Sequence, residues 1–134
     1  MTTPTKTVTA EVFISKPPPR VWAALTSGEE LAKWWAPGDI RPVVGHTFLM
    51  QMGQWGQVAC EVSEVEDGRR LVYTFGDWTL SWDLEAEGPG TRLRLEHSGF
   101  DLTRPRDQFA FEHMGPGWSH MVLPRLERLL AGEG

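Results

Sequence analysis

The sequence predicts an α+β fold: a curved antiparallel β-sheet of about six strands, two short helices after strand 1, and a long C-terminal helix packed over the sheet, enclosing a cavity. Three observations support this prediction. Apolar residues alternate for about fifty residues after residue 45, glycine-containing turns divide that stretch into strands, and residues 118–130 carry apolar side chains at helical spacing.

The composition is that of one folded domain. At 134 residues, the chain (1–134) fits a single core, which is usually built on about 100 to 150 residues. Its 40% hydrophobic and 23% charged residues are typical of globular proteins. Seven Trp and six Phe are more large rings than such a core needs for filling. We therefore expect some of them to line an internal space.

The net charge of −5 and the isoelectric point near 5.3 argue against partners that need a basic surface. Nucleic acid and anionic membranes are both bound through such a surface, so we expect neither as a partner. No stretch has the basic start and apolar run of a signal peptide, and none approaches the roughly 18 apolar residues of a spanning helix. The sequence predicts a cytoplasmic protein.

The N-terminal part is predicted to contain a strand and two helices. Residues 1–5 are a flexible terminus, and alternating apolar positions predict a strand from Lys6 to Ser15. Prolines 17–19 end it, and residues 20–26 form a helix because proline is tolerated in a first helical turn. A capping-box spacing at Ser27 predicts a second helix over residues 28–35.

The central part of the chain predicts an antiparallel meander, because its apolar positions keep a period of two between marked turns. The predicted strands are His46–Met52, Gln54–Val65, Arg70–Phe75, Thr79–Glu85 and Thr91–Glu96. The side chains whose parity points to the core are Leu71, Tyr73, Phe75, Trp78, Leu80, Trp82, Leu84, Leu93, Leu95 and His97.

The C-terminal part is predicted to be a loop followed by a helix. Residues 98–114 contain glycine, proline and mixed charge, which indicates a loop. The turn residues 115–117 then precede a helix from Trp118 to Leu130. Pro124 lies inside this helix, where it removes a hydrogen bond and crowds the preceding turn. We expect a kink or break there.

Several short sequence segments resemble those of the START-like (Bet v 1-like, or SRPBCC) superfamily. Within this superfamily, the chain is similar to the Aha1-type branch, which is related to the C-terminal domain of the activator of the Hsp90 ATPase. The resemblance is carried by Pro19-Arg20-Val21-Trp22-Ala23-Ala24-Leu25-Thr26, Leu31-Ala32-Lys33-Trp34-Trp35-Ala36-Pro37, Gly90-Thr91-Arg92-Leu93 and Gly117-Trp118. It implies the helix-grip fold and a deep cavity between sheet and helix, used for hydrophobic ligands, cyclisation or partner contact. It implies no shared catalytic residue and no cofactor.

A candidate ligand site follows from the inward-facing residues. A binding pocket is expected to be mostly apolar with a few placed polar groups, and the Tyr73 hydroxyl and His97 would supply those groups. The predicted ligand-binding residues are Trp34, Trp35, Phe48, Met50, Tyr73, Phe75, Trp82, Leu95, His97, Trp118 and Val122. The alternative is that these rings fill the core completely, since protein interiors are close-packed.

Catalysis has one candidate residue. His97 is predicted to lie on the inner face, where an imidazole could move a proton, with Glu112 or His113 as partners from the loop. Neighbouring Ser98 and Asp101 do not form a triad with it, because adjacent strand residues point to opposite faces. We name no confident catalytic residue and lean against an enzyme.

Metal and redox chemistry are not expected. The four histidines lack the spacing of a metal site, and Cys60, the only cysteine, can neither complete such a set nor form an internal disulfide. Its position in an alternating apolar run indicates a buried thiol that acts as a small hydrophobe.

The function predicted from the sequence is binding of a small hydrophobic or aromatic ligand in the cavity, with a stress-related role. Two alternatives remain: a protein-interaction module related to Hsp90 co-chaperones, with a chaperone partner, and a cyclase- or isomerase-type enzyme with His97 as acid–base. A homodimer is also compatible with the sequence, because an open sheet has edges that can pair.

Overall fold

A computed structural model describes residues 5–53 and 56–132, so the predicted flexible terminus lies outside the described residues except for Thr5. It confirms the predicted fold class: a six-stranded antiparallel sheet, two short helices after the first strand, and long helical structure at the C-terminus. The elements are β1 Lys6–Ile14, α1 Pro18–Thr26, α2 Gly28–Trp34, β2 Thr47–Gln51, β3 Gln57–Glu66, β4 Arg70–Phe75, β5 Trp78–Glu87, β6 Gly90–Phe100, α3 Pro105–Gly117, a π-helical turn Trp118–Val122, and α4 Leu123–Ala131.

Strands β2 to β6 form a meander, and the first strand, β1, pairs with the last, β6. The strand order is β1-β6-β5-β4-β3-β2, with every neighbouring pair antiparallel. The pairing of β1 with β6 brings the start of the chain beside its last strand, with Val12 opposite Leu93. Gly90 permits this contact, since a Cβ there would lie 2.4 Å from the carbonyl oxygen of Ile14.

The two short helices form as the local sequence predicts. Pro18 begins α1 in a position where a missing N–H has no consequence. The Ser27 hydroxyl accepts a hydrogen bond from the backbone N–H of Glu30 at 3.3 Å, which confirms the N-cap of α2. The Glu30 carboxylate also pairs with Arg20 of α1, and this contact joins the helices across ten residues.

The prediction of a loop over residues 98–114 is wrong. Strand β6 continues to Phe100, and α3 begins at Pro105, so the turn predicted at residues 115–117 lies inside the helix. Asp107 explains the early start, because its carboxylate accepts the backbone N–H of Asp101 at 2.8 Å and anchors the first helical turn to the end of β6. Glycine and proline have a low helix propensity, which made this segment look irregular, but contacts with the rest of the protein outweigh that local preference.

The interruption expected at Pro124 takes the form of one π-helical turn. The Leu123 N–H bonds to the carbonyl of Trp118, five residues earlier, and Pro124 then lies in the first turn of α4, where it needs no hydrogen-bond partner. On a regular α-helix, with 3.6 residues per turn, the side chains of two residues five positions apart point in different directions. The wider turn brings Trp118 and Leu123 to the same side, and both are buried.

The core lies between the sheet's inner face and the helices. Helix α4 packs against β1 and α2, and buries Leu123, Leu126 and Leu130, which share one helical face. Among the described residues, no helix combines the length and the apolar character needed to cross a bilayer.

Replacing Leu126 by Ala should lower the free energy of unfolding by about 2–5 kcal/mol, because the side chain is fully buried and its loss leaves a cavity. Urea unfolding measures this. Arg125, exposed on the same helix, is the matched control, and Arg125→Ala should change stability by less than about 0.5 kcal/mol. Equal effects of the two variants would mean that α4 is not docked as described.

Candidate functional site

Eight of the predicted ligand-site residues form one connected group of rings on the inner side of the sheet. We call this group the ring cluster: Trp34, Trp35, Phe48, Tyr73, Phe75, Trp82, His97 and Trp118. Helix α2, strands β2, β4, β5 and β6, and the π turn each contribute at least one ring. Their convergence follows from the strand parity that the sequence showed.

Three indoles form the centre of the ring cluster. Trp82 contacts Trp34 and Trp118 edge to face, with ring centroids 5.7 Å apart in both pairs and interplanar angles of 87° and 85°. This geometry places the positive edge of one ring on the negative face of another. All three side chains are almost completely buried, so the arrangement lies in the core of the molecule.

Each central indole N–H has a hydrogen-bond acceptor inside the protein. Trp34 Nε1 donates to the carbonyl oxygen of Ala24 at 3.1 Å, and Trp82 Nε1 donates to the Tyr73 hydroxyl at 3.1 Å. Trp118 Nε1 donates to His97 Nδ1 at 3.0 Å. These bonds fix the orientation of the three rings, and burial raises the pKa of the Tyr73 phenol so that it stays protonated.

Trp35 is the half-buried member of the ring cluster. Its ring contacts Trp118 at 4.9 Å and Phe75 at 5.4 Å between centroids, and also packs against Trp34 and Trp82. It follows the last residue of α2, and its backbone angles (φ −134°, ψ −84°) are neither helical nor extended. Trp35 therefore covers the other rings from the solvent side.

His97 lies fully buried on β6, opposite Val8 and Leu80 of the neighbouring strands. Its imidazole touches the rings of Phe75, Trp78, Phe100 and Trp118. Burial lowers its pKa from 6.5 to about 3, because a charged imidazole would be poorly solvated there. Nδ1 accepts the Trp118 N–H, so the neutral ring carries its proton on Nε2, which has no partner among the described residues.

The other predicted ligand residues take different positions. Met50 and Leu95 are buried beside the ring cluster, with Leu95 opposite Trp82 on the neighbouring strand. Val122 is half-buried in the π turn. The structure does not bring Glu112 or His113 to His97, since both are exposed on α3 and His97 is enclosed.

Two grooves of the described residues lie away from the three central indoles. One, of about 530 Å³, is lined by β2, β3 and β4 around Leu49, Ala59 and Thr74; the other, of about 410 Å³, is lined by charged residues of β5 and β6. Between sheet and helices, the rings contact one another. A ligand that enters there must displace at least one side chain.

Three residues around His97 were missed as site residues. Trp78 had been assigned to the inner face by strand parity, but Phe100 and Asp107 fell in the segment predicted as a loop. Trp78 contacts both His97 and Phe100, with ring centroids 5.4 and 5.0 Å apart. The Arg106 guanidinium lies 5.6 Å from the Trp78 ring centroid, in a cation–π contact, and pairs with Asp77.

Asp107 is a buried carboxylate near this group. Burial raises its pKa, but the Asp101 N–H, the Trp78 indole and the charges of Arg104 and Arg106 outweigh that effect, so the pKa is lowered. Oδ2 accepts the Asp101 N–H, whereas Oδ1 and the Trp78 indole N–H do not meet hydrogen-bond geometry with any described partner. Asp107 is therefore ionised at neutral pH.

Metal and thiol chemistry find no support in the described residues. They contain no group of three or more His, Cys, Asp or Glu side chains able to hold a metal ion. Burial raises the pKa of the Cys60 thiol to about 12, so the thiolate is scarce at neutral pH. Cys60 lies in the core, as its place in an apolar run predicted.

The sequence of residues 15–131 matches the model of a protein family described as Activator of Hsp90 ATPase homolog 1-like protein. This match spans most of the chain and all elements that contribute to the ring cluster. The chain belongs to this family. The resemblance to the Aha1-type branch is thereby confirmed.

Solved structures of similar proteins agree with the family's fold. Protein MLL2253 from Mesorhizobium loti is 33% identical, with a TM-score of 0.86 over 96% of this chain and 99% of that one. Protein BH1534 from Bacillus halodurans is 28% identical, with a TM-score of 0.84 over 93% and 96% of the two chains. The Aha1 dimer from Colwellia psychrerythraea, at 21% identity and a TM-score of 0.78 over 96% and 99%, shares the fold. A comparison with curated proteins finds no match.

The buried neutral His97 should make this family member less stable in mild acid. Below pH 6.5 the unfolded chain binds a proton at this residue, whereas the folded protein does so only near pH 3. Stability is therefore lost as the pH falls through this window, by up to about 1.4 kcal/mol per pH unit from this residue. His97→Asn, which keeps an acceptor for Trp118 but cannot be protonated, should show a flatter dependence in urea unfolding between pH 7 and 4.

The control for this experiment is His113→Asn. His113 is exposed, and its Nδ1 lies 2.7 Å from the Phe109 carbonyl oxygen of its own helix. This variant should keep the wild-type slope. A slope unchanged in His97→Asn but reduced in His113→Asn would contradict the assignment.

Proposed function

We propose that this protein binds a small apolar or aromatic molecule at the ring cluster, in the place that the Trp35 side chain occupies. The observation that carries the proposal is the position of Trp35, a half-buried ring that contacts four deeply buried rings. Three of these four are also held by internal hydrogen bonds. A flat ligand of similar size could make the same contacts.

The chemistry of the surroundings favours an aromatic occupant. The faces and edges that Trp35 covers belong to Trp34, Phe75, Trp82 and Trp118, and ligand pockets are lined mainly by such side chains. Ring pairs in offset or edge-to-face geometry contribute about 0.5–1.5 kcal/mol beyond the burial of their area. Several such pairs would select flat rings over aliphatic chains.

The closed arrangement sets a cost for binding. Moving the half-buried indole of Trp35 into water costs up to about 3 kcal/mol for its lost burial, and the lost ring contacts add to this cost. The open state with Trp35 displaced is therefore a minor population, and the apparent affinity is reduced by the fraction of protein that is open. The backbone of Trp35, at the end of a seven-residue helix, is a suitable hinge for this movement.

Trp35→Ala tests the proposal. The truncation should destabilise the protein by about 2 kcal/mol, less than a fully buried Trp would cost. Millimolar indole should then restore several degrees of melting temperature, because it refills the vacated place. Differential scanning fluorimetry with an extrinsic dye, or circular dichroism, measures both effects.

The matched control is Trp22→Ala. Trp22 is buried in α1, and among the described residues it makes no ring contact with the ring cluster. Indole should rescue Trp35→Ala and leave Trp22→Ala unchanged. Equal rescue of both variants would indicate unspecific filling of cavities, and no rescue of Trp35→Ala would remove the basis of the proposal.

A second candidate is a protein-interaction module, which the match to the family of Hsp90 ATPase activators favours. Its test is the ATPase rate of Hsp90 with and without this protein. An increase would support the interaction module, whereas the ligand-binding proposal expects no change. Self-association is a related possibility to test, because the edge strands β1 and β2 have unpaired backbone groups that can bind a second copy. Analytical ultracentrifugation distinguishes a 15.1 kDa monomer from a dimer of twice that mass.

An acid–base role of His97 is the third candidate, and the environment of the residue weighs against it. An efficient general base has a pKa near the working pH, whereas burial lowers that of His97 to about 3. Its four ring contacts are all aromatic and carry no ionisable carboxylate or amine. These surroundings suit a residue that binds through a hydrogen bond better than one that transfers protons.

A further inference from the structure

The buried imidazole of His97 has one nitrogen in use and one nitrogen open. Trp118 Nε1 can only donate, so His97 Nδ1 must be the acceptor in their 3.0 Å hydrogen bond. The proton of the neutral imidazole is therefore on Nε2. That N–H is fully buried and has no acceptor among the described residues.

A buried donor without an acceptor is rare in folded proteins, and each case needs an explanation such as an ordered water or a ligand. The side chains in ring contact with His97 cannot serve as one, since Phe75 and Phe100 have no polar atom and the indoles of Trp78 and Trp118 only donate. The acceptor must come from outside these residues.

The open nitrogen belongs to the neighbourhood in which we place the ligand. Phe75 and Trp118 each contact both His97, at 6.0 Å, and Trp35, at 5.4 and 4.9 Å between ring centroids. The Trp35 position and His97 therefore share two neighbouring rings. An elongated ligand of two fused rings with a short substituent suits a site that includes both.

The charges nearby select the kind of acceptor. Asp107 is buried and ionised, and its Oδ1 lies 3.7 Å from Nε of Arg106. A second anion close to this carboxylate would be repelled in surroundings of low dielectric constant. The cation that contacts the rings around His97, Arg106 over Trp78, is already paired with Asp77 and Asp107. A neutral oxygen meets both conditions.

We propose that His97 is a ligand-binding residue whose Nε2–H donates a hydrogen bond to a neutral carbonyl or hydroxyl oxygen of an aromatic ligand. The inference rests on the proposed function and adds the ligand's polar group to it. Trp118 acts as a positioning residue, because its N–H holds the imidazole in the tautomer that presents the donor.

Matched naphthalene probes test the inference. 2-Acetylnaphthalene carries a neutral acceptor, 2-ethylnaphthalene has a similar shape without it, and 2-naphthoate carries a negative charge. Dissociation constants are measured by calorimetry or by the shifts of the tryptophan Nε1–H resonances. The quantity of interest is the ratio of the constants for the ethyl and acetyl compounds, because the ratio removes the contribution of the shared rings.

In the wild type this ratio should be about 3- to 10-fold larger than in His97→Phe or His97→Asn, which is the usual effect of one neutral hydrogen bond. The amide of His97→Asn retains an acceptor near the Nδ1 position for Trp118, but it is too short to place its N–H group at the Nε2 position. The variant therefore separates loss of the Nε2 donor from loss of the Trp118 contact. If one variant does not fold, the other gives the answer. 2-Naphthoate should bind more weakly than 2-acetylnaphthalene to the wild type.

The outcomes separate the two proposals. If both neutral probes bind, but the ratio of their dissociation constants is the same in wild type and variants, the role of His97 is overturned. The partner of Nε2 would then be a water molecule, and the proposal of ligand binding would stand. Tighter binding of 2-naphthoate than of 2-acetylnaphthalene would overturn the neutral class. No binding of any probe would overturn the proposed function and this inference with it.

Discussion

The hydrogen bond from Trp118 Nε1 to His97 Nδ1 joins the helical C-terminal part to an interior strand of the sheet, between two almost completely buried side chains. Trp118 begins the π turn and His97 lies on β6, so the bond joins residues 21 positions apart in the sequence. It orients the Trp118 indole against Trp82, fixes the imidazole tautomer and determines which nitrogen remains open. Because an unpaired polar atom at this depth is costly, the relative position of helix and sheet is restricted.

The interior combines rigid and displaceable parts. Trp34, Trp82 and Trp118 are each held by a ring contact at right angles and a hydrogen bond, which together leave little freedom of rotation. Trp35 lies against all three and is only partly buried. A preformed wall with one movable ring is an arrangement in which a closed core and a ligand site are compatible, since local opening draws on the least stable contacts of a structure.

The helical path above the sheet depends on two prolines that local rules treat as breakers. Pro105 and Pro124 both lie in the first turn of a helix, Pro105 at the start of α3 and Pro124 directly after the π turn, a position in which proline is tolerated. Pro116 is inside α3, where a helix is normally disfavoured. The anchoring of α3 by Asp107 and of the π turn by Trp118 offsets that local preference.

The sequence by itself determined the elements whose physics is local. Period-two alternation placed Tyr73, Trp82 and His97 on the inner face, and the Ser27 spacing located the start of α2, because strand pleat and helix capping act over only a few residues. Only the tertiary structure decided that residues 105–117 are helical, that Pro124 is accommodated by a wider turn, and that Trp35 is the partly buried member of the ring cluster. Asp107 and Phe100 entered the site with that helix and the longer β6. These outcomes depend on contacts between residues far apart in the chain, such as Trp118 with His97, and such contacts leave no trace in a local pattern.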